Sequence, residues 1–172
     1  MRDIHADVEQ KRGDSIPPWA YRDVLYMLIY YSIVSFQLLE RKLTQEEKEE
    51  VYDVFYRVGA RMGLHDLPVN YEQWLISREA HLNANIQRTK LTDELFEQYK
   101  KHLGSFRYWI LKEAQMLIVP PQVRTLLGFK SFSWMAPVVP MYKLSRKLKL
   151  DWYFMRSLLP AKYVEQIYHL ER

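Results

Sequence analysis

Apolar positions along this chain recur three and four residues apart, the period of an α-helix, and strict two-residue alternation is absent. The pair Pro17-Pro18 breaks the chain after a short first element. Residues 19–41 then form one apolar-rich segment, whose positions 21–40 would span about 30 Å as a helix, the width of a small domain. Its β-branched residues are few, Val24, Ile29, Ile33 and Val34, which argues against a strand. This segment is the expected central helix.

Thr44 followed by Gln45-Glu46-Glu47 is a capping box, in which the threonine oxygen accepts the third amide and Glu47 reaches back. A helix is expected from there, with Val51, Val54, Phe55, Val58 and Met62 as its apolar stripe and Gly63 as its stop. Asn70 is the next cap, ahead of Trp74, Leu75 and the residues to Leu82. A further helix runs from Thr92 through Leu103 and ends at Gly104. Phe106, Trp109, Ile110, Ala114 and Leu117 give another stripe, closed by Pro120-Pro121. Short helices are expected over 123–127, 143–159 and 161–170. No interval repeats, and the strand–helix alternation of a nucleotide-binding sheet is missing. The predicted fold is all-α, a compact bundle of about seven or eight helices.

At 172 residues and 48% hydrophobic content the chain has enough apolar surface for one domain with a packed core. Aromatic residues make up 15%, which suits either a broad core or a ring-lined cavity. The absence of cysteine removes disulfides, thiolate nucleophiles, iron–sulfur clusters and cysteine zinc sites. The first seven residues contain acidic groups and no apolar run, so no secretory signal is expected and a cytoplasmic location follows. The most membrane-like stretch, 24–36, covers 13 positions where a span needs roughly 20.

The formal charge of +4 is uneven: residues 1–140 carry 18 basic and 18 acidic side chains, whereas 141–172 carry 7 and 3. Lys143, Arg146, Lys147 and Lys149 alternate there with Met141, Leu144, Leu148, Trp152, Met155 and Leu159 at helical spacing. A terminal helix packed by its apolar stripe accounts for this pattern, and so does a helix lying on an anionic membrane surface. Nucleic acid is not an expected partner, because the rest of the chain is neutral and no nucleic-acid motif accompanies the patch.

None of the histidines, His5, His65, His81, His102 and His169, stands three or four residues from another, so no local zinc or di-iron spacing exists. Glu47 and Glu50 share a helix face but belong to a solvated capping region. Lys112-Glu113 interrupts an apolar helix, where the lysine is expected to snorkel and the glutamate to face solvent. Nucleophile elbows and phosphate-cradling glycine loops are absent. A single imidazole such as His5 is an ordinary terminal histidine or, because porphyrin nitrogens fill four of the iron's bonds, an axial haem ligand.

Collinear segments carry more than any one motif. They begin with Arg2-Asp3-Ile4-His5-Ala6-Asp7-Val8, Tyr21-Arg22-Asp23-Val24-Leu25-Tyr26 with Ser35-Phe36, and Leu43-Thr44 with Glu46-Glu47 and Tyr52. Val58-Gly59-Ala60-Arg61-Met62-Gly63-Leu64, Leu67-Pro68-Val69-Asn70-Tyr71-Glu72, the run from Ile118 to Phe129 and Leu158-Leu159-Pro160 follow. In this order they resemble the MpaB-type oxygenase family, domain of unknown function 2236, to which rubber-cleaving latex clearing protein is related.

That resemblance implies a mostly helical fold holding haem b and oxidative cleavage of an apolar, isoprenoid-like substrate. It implies His5 as the proximal ligand to iron, with the helix over 21–40 flanking the porphyrin and Ile29 and Ile33 as cavity residues. One branch of the family carries a histidine where Ile29 stands. No catalytic side chain is assigned. Relatives carry helices before the proximal histidine, whereas four residues precede His5, so residues 1–172 are expected to be one such domain or the C-terminal portion of one. The alternative is a helical interaction or membrane-surface protein that binds no haem.

Overall fold

A computed structural model describes residues 9–11, 13 and 15–148. His5, the expected helix beyond Leu148 and the terminal helix over 161–170 lie outside the described residues. Six helices make up the described chain: α1 (Pro18–Leu39), α2 (Gln45–Arg61), α3 (Tyr71–Asn85), α4 (Lys90–Ile118), α5 (Pro121–Leu127) and α6 (Val138–Lys147). With helical residues 9–11 and no strand among the described residues, the fold is all-α. None of these helices is long and apolar enough to cross a membrane. The chain divides into two units, one of residues up to Gln37 with Arg41–Ile86, the other of Leu38–Glu40 with residues from Gln87 on.

In the first unit α1 opens at Pro18, where the missing N–H is no loss because a first-turn amide has no partner within the helix. Leu25, Tyr26, Ile29 and Ile33 lie along one face of α1 and are buried. The expected central helix is buried along this one face, while Val24, Met27 and Leu28 on the other side stand about half exposed. The expected capping box starts α2: the Glu47 amide donates to Thr44 Oγ1 at 3.2 Å and the Thr44 amide to Glu47 Oε2 at 2.8 Å. Arg41 grips the same carboxylate, and these bonds hold the Glu47 carboxyl down at about 2. Asn70 caps α3 by accepting the Gln73 amide at 2.9 Å.

Of the apolar stripe predicted for α2, Val51 and Phe55 pack against the core. Val54 and Val58 are exposed, while Tyr52 and Gly59 are buried. Tyr52 turns inward because its ring packs beside Trp74 and its hydroxyl donates to the Pro68 carbonyl. Gly59 turns inward because it has no side chain: a Cβ there would lie 2.6 Å from Leu25 Cδ2 and 2.9 Å from Leu67 Cδ1. The glycine lets α1 and the loop after α2 close on the helix. Gly59→Ala is accordingly expected to cost about 1–3 kcal/mol by overpacking. A urea midpoint equal to that of the parent would show that both leucines swing aside without cost. Trp74 is the centre of this core, with the rings of Tyr71, Tyr52 and Tyr26 at 5.2, 6.2 and 6.3 Å.

In the second unit the two helices expected on either side of Gly104 are arms of α4, bent at that residue (φ 74°, ψ 166°). This region of backbone space is open essentially to glycine alone. The bend has a visible result. Phe96 and Tyr108 would stand about 18 Å apart along a straight helix, yet their ring centroids are 6.4 Å apart.

The expected stripe of the second arm is also displaced, since Phe106 and Trp109 are exposed and Glu113 and Met116 are buried. Glu113 thus faces inward, not to solvent as its charge suggests. Its Oε2 accepts the Ser133 hydroxyl at 2.9 Å and the Trp134 amide at 2.7 Å. Those two donors replace the water that the carboxylate gives up. Lys112 does lie half-buried along the helix, its ammonium 5.8 and 5.6 Å from the ring centroids of Tyr108 and Phe129.

Candidate functional site

The polar groups of the first unit gather between α1 and α3. On α3, Ser77, His81 and Asn85 are spaced by four residues and therefore share a face. On α1, Asp23 and Tyr26 meet them. Asp23 Oδ1 lies 2.7 Å from His81 Nδ1, and the Asn85 amide donates to Asp23 Oδ2 at 2.6 Å. The Tyr26 hydroxyl and Ser77 Oγ are 2.9 Å apart, and the Tyr26 ring sits edge-on to the imidazole at 5.4 Å. About one turn further along α1, the Arg78 guanidinium lies 3.7 Å from the Tyr30 ring centroid.

Electrostatics follow from burial. Desolvation pushes the Tyr26 hydroxyl above its usual range, with the Ser77 hydrogen bond opposing it. Burial also lowers the Arg78 guanidinium from its ordinary value, against the pull of Tyr30. The carboxylate of Asp23 only accepts, so His81 carries its proton on Nδ1 and its ring is fixed in plane. Nε2 has no hydrogen-bond partner among the described residues, and the Asp23–His81 pair is about one-quarter exposed. An imidazole oriented by a carboxylate in this manner is equipped to take a proton or to offer Nε2 to a metal.

Of the residues predicted from sequence, Ile29 and Ile33 share the inner face of α1, and His5 lies outside the described residues. Ile29 is fully buried and Ile33 nearly so, both within the cluster of Trp74, Tyr26, Tyr52 and Tyr71. Among the other histidines, His65 and His102 are exposed. No three His, Asp or Glu side chains among the described residues come together as a multidentate metal centre. Sequence reasoning missed Asp23 and His81, which are 58 positions apart. The one available signal was the polar stripe at 77, 81 and 85.

Residues 1–146 match the family model described as ER-bound oxygenase mpaB/B'/Rubber oxygenase, catalytic domain. No curated protein and no solved structure matches the chain.

Proposed function

Because the chain belongs to the family of mpaB-type and rubber oxygenase catalytic domains, we propose that it is a haem-dependent oxygenase acting on an apolar, isoprenoid-like substrate, with His5 as the ligand to iron. The observation that carries this reading is the extent of the family match, which takes in His5 and all of α1 to α5. Haem, when bound, supplies the dioxygen activation that no side chain of this protein can perform.

Ile29 and Ile33, which the family resemblance sets beside the haem, are packed within the buried cluster of α1. Their part is to seat α1 against its neighbours. The iron would be held by His5.

Absorption spectroscopy after incubation with haem tests the proposal. A Soret band is expected in the parent chain and is expected to be lost or shifted in His5→Ala. Colourless protein that takes up no added haem overturns it. That outcome leaves the second reading, a helical interaction protein without haem that meets an anionic membrane surface. One observation favours this second reading: Met141, Leu144 and Leu148, on one side of the basic α6 segment, are each about 60% exposed.

A further inference from the structure

The bend at Gly104 creates a cleft of about 540 Å³ wholly within the second unit. Phe96 enters it from the first arm of α4, Tyr108 and Lys112 from the second, and Phe129 from the turn after α5. Phe96 meets Tyr108 and Phe129 at 72° and 85°, so the three rings are set edge to face and do not close on one another as a stack. Such an arrangement leaves ring surface available to a flat apolar guest. The volume lies within the range of small-molecule sites.

The charges of the cleft are not balanced. Arg88 and Asp93 neutralise each other through a contact of 2.5 Å. Of the remaining lining groups, Lys100 and Lys112 outnumber Glu97. Lys112 is half-buried, lies over two rings and has no carboxylate within ion-pair reach among the described residues. Its nearest neighbours there are rings and not an anion, so an incoming carboxylate would find a charge with no competing partner among the described residues.

We propose that this cleft binds a small carboxylate with a flat apolar body, the carboxylate pairing with Lys112 and the body lying among Phe96, Tyr108 and Phe129. The site requires no haem and stands whether or not His5 holds iron.

Calorimetric titration of the full chain with 2-naphthoate, and with 2-naphthamide as its uncharged counterpart, separates the charge from the apolar body. The naphthoate is expected to bind more tightly than the amide. Lys112→Met keeps the stem and removes the charge, and is expected to weaken naphthoate by about tenfold while leaving the amide unchanged. Lys112→Arg is expected to restore most of the difference, which a loss through misfolding would not show. Equal affinity of the parent for acid and amide, undiminished naphthoate binding in Lys112→Met, or no binding at millimolar concentration each overturns the proposal.

Discussion

Trp74→Ala is expected to destabilise the protein by about 3–5 kcal/mol, the range for removing a large aromatic side chain from a packed core. Trp74 is 1% exposed and touches three tyrosine rings drawn from α1, α2 and α3. Its ring contacts join all three helices, so the surrounding groups cannot collapse into the void without breaking one of those contacts. The indole Nε1 is buried with no hydrogen-bond partner among the described residues. Trp74→Phe therefore removes an orphaned donor along with part of the ring, and its cost is expected to stay below about 2 kcal/mol. Chemical denaturation followed by circular dichroism measures both. Equal midpoints for the alanine and phenylalanine variants would mean that ring packing is not what holds this core.

Glu113→Ala is expected to cost about 2–4 kcal/mol through a different mechanism, the stranding of donors. The carboxylate gathers the Ser133 hydroxyl and the Trp134 amide, while Ser133 Oγ accepts the Met135 amide at 3.0 Å. One side chain of α4 thereby pins the segment that leads into α6. Without it the Trp134 N–H loses its acceptor, while the Ser133 hydroxyl retains only the Glu113 main-chain carbonyl at 2.8 Å. Glu113→Gln keeps one carbonyl oxygen and is expected to fall between parent and alanine variant. Amide hydrogen exchange offers a local readout: protection at Trp134 should drop in Glu113→Ala well before that in the first unit changes. Unchanged exchange at Trp134 would show that the carboxylate is not its anchor.

What was legible in the sequence was local. Thr44 with Glu47, Asn70, Pro18 and Gly104 each act on backbone groups a few residues away, so spacing alone locates them. The inward face of Ile29 and Ile33 was legible too, from helical periodicity. Which side chains pack on that face was not, because the answer depends on Trp74 and Tyr52, carried by other helices. Part of the α2 stripe, Val54 and Val58, was misread for a related reason. Valine at 54 and 58 suits an interior, but the close approach of Leu25 demands a residue without a side chain, and Gly59 supplies it. Glu113 found its donors twenty positions away in a loop, and His81 found Asp23 across two helices. No periodicity announces such partners.

The joint in α4 has a consequence for what could replace it. Nothing lies within 4 Å of where a methyl group on residue 104 would sit, so bulk does not exclude other amino acids there. Their chirality does, since a positive φ with an extended ψ suits the mirror-image configuration and opposes the natural one. The cleft's shape thus depends on one residue without a stereocentre, in a place where the space beside it would admit any small substituent.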